Sequence, residues 1–121
     1  MKVAITGDRS WGGSRYWEIY RPLAKLSPAT DLVILGDATG VDAMALRACR
    51  ELGLPYVKEE AEWARYRMAA GPIRNTAMLD HQPDQVWWFH DDLANSRGTK
   101  DMVAKAMVRK IPLMGPDDLR A

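Results

Sequence analysis

Three short segments concentrate the residue types that bind anions: Thr6-Gly7-Asp8-Arg9-Ser10, Gly36-Asp37-Ala38-Thr39-Gly40-Val41-Asp42 and Asn95-Ser96-Arg97-Gly98-Thr99-Lys100-Asp101. Glycine lets a ligand approach the backbone, and a helix N-terminus presents unpaired N–H groups with a partial positive charge, so such segments suit phosphate or carboxylate. The middle one has the spacing Gly36-x-x-x-Gly40, which is neither the dinucleotide fingerprint G-x-G-x-x-G nor the phosphate loop G-x-x-x-x-G-K-[ST]. Alone it equally suits a plain turn, with Gly40 making the bend and Thr39 or Asp42 capping the next helix. Arg9, Arg74 and Arg97 are the natural anion contacts, because guanidinium meets phosphate oxygens two at a time. Arg74 follows Pro72 in what reads as a first helical turn, where a cation is disfavoured by the dipole. Its position implies a compensating anion, either a ligand or a carboxylate among Glu59, Glu60 and Glu62. Asn75 is either a second ligand contact or a local helix bond.

Asp8, Asp37, Asp42 and Asp101 supply carboxylates that could hold ribose hydroxyls or move protons. Asp8 and Asp101 are the catalytic candidates, although a carboxylate in a first helical turn, as at Asp42 and Asp101, is stabilising without any ligand. His81 and His90 lack metal-ligand spacing to each other or to Cys49, so both read as surface or loop residues, and neither a metal nor a cofactor is expected. Ser10, His90 and Asp91 have no nucleophile-elbow context to make them a triad. The single cysteine, Cys49, reads as core filling. Trp87 and Trp88 fit a strand covered on both sides, whereas Trp11 and Trp63, in loop-like surroundings, could stack on a base or lie in a subunit contact.

The elements that must position these residues alternate short apolar runs with amphipathic stretches, the pattern of an α/β fold: a Rossmann-like open parallel sheet of about five strands with helices on both faces. The strands are expected at Val3-Ala4-Ile5, Leu32–Leu35, Pro55-Tyr56-Val57, Val86–Phe89 and Ile111-Pro112-Leu113. Between them the periodicity predicts a helix over 14–26 with Trp17, Tyr20, Leu23 and Ala24 on one side. A second runs from Val41 to Gly53 with Asp42 among its outward residues, and a short one from Ile73 to Leu79. The last has Met102, Val103, Ala106 and Met107 inward. Loops that follow parallel strands emerge on one sheet edge, so the three anion-binding segments are expected to converge.

With 121 residues, 47% of them hydrophobic, the chain suits one core, and residues 1–121 read as a single domain. Seventeen basic against sixteen acidic residues give a net charge of +1, too balanced for a strongly basic nucleic-acid module. Nucleic acid is thus an open but unfavoured partner. No strictly apolar run exceeds four residues, far below the roughly 20 of a membrane span, and the N-terminus reaches Lys2 and Asp8 too early for a secretory signal. A cytoplasmic location is the expectation.

In order, Thr6-Gly-Asp-Arg-Ser, Leu35-Gly-Asp-Ala-Thr-Gly-Val-Asp42, Ala61-Glu-Trp63, Ala70-Gly-Pro-Ile-Arg-Asn75 with Met78, and Arg97-Gly-Thr-Lys-Asp101 resemble the small single-domain, YspA-like branch of the SLOG superfamily. The likeness runs from Val3 to about Leu113. The Gly-x-x-x-Gly-x-Asp loop is also similar to that of DNA-processing protein A. This resemblance implies a Rossmann-like domain whose glycine-rich loops hold nucleotides or nucleotide-derived ligands. It places Gly36, Asp37, Gly40, Asp42, Arg74, Asn75, Gly98 and Thr99 in the pocket, to which the residue reading adds Gly7, Arg9, Thr39 and Arg97. Related Lonely Guy phosphoribohydrolases carry P-G-G-x-G-T-x-x-E, but here the position of the catalytic glutamate falls on Met102, and Asn95-Ser96-Arg97 replaces Pro-Gly-Gly.

The expected function is therefore binding of a phosphate-bearing nucleotide as a sensor or carrier. One alternative is hydrolysis or transfer of an N-glycosidic bond in nucleoside monophosphates, and another is single-stranded DNA binding. A homodimer is expected from the habits of related proteins and from the supply of Tyr and Trp for an interface. Arg74→Ala is expected to weaken anion affinity with little loss of melting temperature.

Overall fold

In the computed structural model, which describes residues 1–120, Val3, Ala4 and Ile5 have no exposed surface because their strand lies mid-sheet with helices on both sides. This strand, β1 (Lys2–Gly7), is joined by β2 (Leu32–Leu35), β3 (Tyr56–Lys58), β4 (Gln85–Phe89) and β5 (Leu113–Met114). All pair parallel in the order β3-β2-β1-β4-β5. Val3 sits opposite Val33 on one side and Gln85 on the other. Chain order reverses between β1 and β4, the place where ligand crevices open in sheets of this type.

Successive strand residues face opposite ways. Val3, Ile5, Val33, Leu35, Trp87 and Phe89 share a core with α1 (Tyr16–Leu23) and α2 (Val41–Leu52). Ala4, Ile34 and Val86 share the other with α4 (Ala70–Asp80) and α5 (Gly98–Val108), through Met78, Leu79, Met102 and Ala106. Removing a side chain such as Ile5 or Phe89 from water contributes about 2 kcal/mol each, which is why the two cores lock the sheet between its helix layers. Two short helices, α3 (Trp63–Tyr66) and α6 (Pro116–Arg120), complete the chain. No helix among the described residues is long and apolar enough to cross a membrane.

The Rossmann-like parallel sheet is the one expected, with several local corrections. In α1 the inward residues are Tyr16, Ile19 and Leu23, while Trp17 is 56% exposed. Pro22 lies in the last turn of this helix. Met107 of α5 is exposed rather than inward. The last strand is Leu113–Met114, shifted beyond Pro112, which has no N–H to give a ladder. Helix α4 begins at Ala70, two residues before Pro72, so Arg74 lies in its second turn and not its first. Cys49 is fully buried, and burial pushes its thiol up to about 12, leaving it uncharged core filling.

Candidate functional site

A cleft of about 760 Å³ opens at the C-terminal ends of β1 and β4. Each wall traces to a sequence feature. Residues Thr6–Ser10 leave β1, Ser96–Thr99 run into α5, and Gly71, Pro72 and Arg74 come from α4, with Trp63 and Met68 at the mouth. Of the expected site residues, Gly7, Asp8, Arg9, Asp42, Arg74, Arg97, Gly98, Thr99 and Asp101 line it. The amides of Gly98 and Thr99, first in α5, meet no acceptor among the described residues, whereas Lys100 N–H donates to Ser96 Oγ at 2.9 Å. Arg9 and Arg97 are exposed at the rim and form no ion pair among the described residues. Two free amides and two free guanidiniums thus face one space, which suits an anion.

Gly36, Asp37, Thr39, Gly40 and Asn75 do not line the cleft; they hold what does. Thr39 Oγ donates to the Arg9 carbonyl at 2.8 Å, and Val41 N–H donates to the Asp8 carbonyl at 3.0 Å. The β2–α2 junction is therefore a clasp on the β1 loop. Asn75 Nδ2 donates to the Gly98 carbonyl at 3.1 Å and to Asp101 Oδ2 at 3.0 Å, fixing the start of α5. Lys105 Nζ reaches the same Asp101 oxygen at 2.9 Å, so this catalytic candidate is bound on two sides. Met102, where related enzymes have their glutamate, has no exposed surface and packs with Ala4 and Ile34 instead of facing the cleft.

Beneath the cleft lies a buried charge network that the sequence reading did not assemble. Arg74, 7% exposed, donates from Nη1 to Asp37 Oδ1 at 2.7 Å. Its compensating carboxylate is Asp37 rather than Glu59, Glu60 or Glu62, because the fold sets the Arg74 guanidinium beside Gly36 and the residue that follows it. Arg74 Nε is buried with no partner. Asp42, expected to point outward, is 6% exposed and accepts Ala38 N–H at 3.0 Å. Gly36 is what leaves it room, since an added Cβ would sit 2.7 Å from Asp42 Oδ2.

Burial pushes the Asp42 carboxyl up from 3.8 to about 6, against the pull of the Ala38 amide and of Arg74. An unfolded chain loses this proton first, so the native state binds more protons between pH 3.8 and about 6 and its stability falls as pH rises through that window. Above it the full penalty, about 3 kcal/mol, applies. Asp42→Asn keeps an acceptor for Ala38 and removes the titration. Urea midpoints are expected to converge for the two proteins near pH 4 and to separate by pH 7.5, with the variant more stable; parallel curves would refute this.

Several lining residues of the cleft were not on the expected list, among them Met68, His90 and Ser96. His90, expected as a surface or loop residue, lies in the loop after β4, but its side chain is only 14% exposed. Its Nδ1 accepts Asp92 N–H at 2.9 Å, leaving Nε2 directed at Asp8 Oδ2, 3.5 Å away. Ser96 lines the cleft beside it. The signal for His90 was available: it directly follows an apolar strand, and the residue after a parallel strand lies on the ligand edge. Trp11, by contrast, leaves the list of stacking candidates. It is 7% exposed, set edge-on to Phe89 and covered by the Arg15 guanidinium 3.4 Å from its ring centre. Trp63 is 48% exposed and borders the cleft. Among the described residues no group of three His, Cys, Asp or Glu could hold a metal.

Two solved structures share this architecture. DNA processing protein A from Streptococcus pneumoniae matches with a TM-score of 0.74 over 94% of this chain, at 15% identity. The chain shares the fold of one part of that protein. The Helicobacter pylori protein of that name, described for its single-stranded DNA binding mode, matches with a TM-score of 0.64 over 95% of the chain at 19% identity. The chain spans 49% and 64% of the lengths of these two structures, so the likeness concerns one part of each. The Rossmann-like fold implied by the SLOG resemblance is thus the fold observed. No family model and no curated protein matches the sequence.

Proposed function

We propose that this domain binds a phosphate-bearing nucleotide or nucleotide derivative in the cleft, as a sensor or carrier. The observation that carries this reading is the meeting of the unpartnered Gly98 and Thr99 amides with Arg9 and Arg97 in one hollow. The phosphate faces those groups, and the base lies against Trp63 and Met68 at the mouth, where an aromatic face is open to stacking. Asp8, with His90 beside it, is placed to accept sugar hydroxyls. We extend to this chain the YspA-like branch, a single nucleotide-binding domain over residues 1–121, a homodimeric state and a cytoplasmic location. Calorimetric titration of a nucleotide panel tests the reading: Arg97→Ala is expected to weaken the best ligand about tenfold or more, as loss of a charge-assisted bidentate contact does, with the melting temperature unchanged. Unchanged affinity would remove Arg97 from the site, and no binding across the panel would end the reading.

A second reading, single-stranded DNA binding, is favoured by the fold shared with proteins of which one is described for that activity. Trp63 and Met68 beside Arg9 and Arg97 would supply the stacking face and phosphate contacts. Steep weakening of oligonucleotide binding by salt, with mononucleotides inert, would select it. Hydrolysis of the N-glycosidic bond is the third outcome, recognised by release of free base; with Asp101 tied to Asn75 and Lys105, Asp8 beside His90 is the pair that would serve it.

A further inference from the structure

The loops after β1 and β4 are pinned to each other where they leave the sheet. Asp8 N–H donates to the Phe89 carbonyl at 2.9 Å. Gly7 permits this approach, since an added Cβ there would lie 2.6 Å from the same carbonyl oxygen. The side chains of Asp8 and His90 therefore stand together in the cleft wall, with Nε2 of the histidine 3.5 Å from Oδ2 of the aspartate. That span exceeds a well-formed hydrogen bond, so each group keeps its capacity for a ligand.

The other polar atom of each side chain is already engaged, and this fixes what the pair offers. Asp8 Oδ1 accepts Ser10 N–H at 2.7 Å, which orients the carboxylate and leaves Oδ2 to accept. His90 Nδ1 accepts Asp92 N–H at 2.9 Å, so it carries no proton, and the ring has its one hydrogen on Nε2. The neighbouring acid, Asp91, is turned away to Arg15, with Nη2 at 3.1 Å from its Oδ1. One acceptor and one donor, 3.5 Å apart, thus stand side by side. Two adjacent hydroxyls of a sugar match them: one gives its hydrogen to Asp8 Oδ2, and the oxygen of the next accepts from His90 Nε2. A phosphate group suits this pair less, because its charged oxygens have no hydrogen to give and would face the carboxylate charge.

Resting on the nucleotide reading of the cleft, we propose that Asp8 and His90 select the sugar by binding the 2′- and 3′-hydroxyls, one each, so that the ligand is a ribonucleotide and not a deoxyribonucleotide. Calorimetric titration of the full chain with AMP, GMP, CMP and UMP, each beside its 2′-deoxy and 3′-deoxy forms, provides the test. Removing either hydroxyl from a ribonucleotide that binds is expected to weaken it about tenfold, because a polar group of the cleft is then left unpaired. Each substitution should close one of these two gaps: Asp8→Asn, which keeps an acceptor for Ser10 N–H, for one hydroxyl, and His90→Phe for the other. Deoxy forms bound by the wild-type chain as tightly as the ribonucleotide would overturn the proposal while leaving nucleotide binding intact, and this comparison needs no variant to fold. Gaps that survive both substitutions would overturn it too, since the hydroxyls would be read elsewhere. No binding by any member of the panel would overturn it together with the reading on which it rests.

Discussion

Gly40→Ala is expected to lower the melting temperature by about 10 °C or more, corresponding to roughly 3 kcal/mol in a domain of this size. Two independent penalties act at this position. Gly40 has φ 68° and ψ −121°, a conformation that a side chain strongly disfavours. An added Cβ would also lie 2.3 Å from the Asp8 carbonyl oxygen and 2.5 Å from the Arg9 carbonyl carbon, and these are backbone atoms with nowhere to retreat. The clasp that holds the β1 loop over α2 must then open, breaking the Val41 N–H bond to Asp8. Gly53→Ala is the matched control. Gly53 also has positive φ, 67°, but ψ 25° is ordinary left-handed geometry and nothing lies within 4 Å of the new methyl. Its cost is about 1 kcal/mol, and thermal unfolding followed by circular dichroism should separate the two clearly. Equal losses would mean that the contact of the two loops contributes nothing.

Arg74→Ala is expected to cost about 3 kcal/mol, close to 10 °C in melting temperature, which reverses the sequence-based expectation of little loss. The reason is burial. Deleting the guanidinium leaves Asp37 without its 2.7 Å partner and takes away the positive charge that opposes the rise in the Asp42 pKa. Both carboxylates are then more costly to keep charged in the native state. The double variant Arg74→Ala/Asp42→Asn should recover part of the loss, because the more deeply buried of the two acids no longer needs compensation. Urea unfolding at pH 7.5 of wild type, both single variants and the double closes the cycle. Strict additivity would show that Arg74 and Asp42 do not sense one another, and an Arg74→Ala variant as stable as wild type would show the Arg74–Asp37 ion pair to be superfluous.

These two positions also separate what composition and spacing revealed from what they could not. The order of the apolar runs at Val3, Leu32 and Val86 was enough to place a parallel sheet, because a strand buried on both faces needs continuous apolar residues. The convergence of the loops after β1, β2 and β4 followed from the same topology. Which side chains enter the cleft did not follow. Thr39 and Gly40 share the residue types of a phosphate loop, yet Thr39 holds the Arg9 carbonyl and Gly40 only lets Val41 N–H reach the Asp8 carbonyl, a contact between segments about thirty residues apart. Trp17 and Met107 match their helices' apolar pattern but face outward, since periodicity gives a stripe and not its direction.

The sequence by itself determined the layered parallel sheet, the inert buried Cys49 and the edge at which a ligand would meet the chain, because strand burial, helix period and parallel connection are local properties or follow from chain order. Only the tertiary structure decided that Asp37 is the partner of Arg74, that Asp42 is buried and titrates high, and that His90 lies beside Asp8 in the cleft while Asp101 is tied to Asn75 and Lys105. Each of those depends on where α4 and α5 cross the strand ends, and a charge acquires its solvation and its partner from elements distant along the chain.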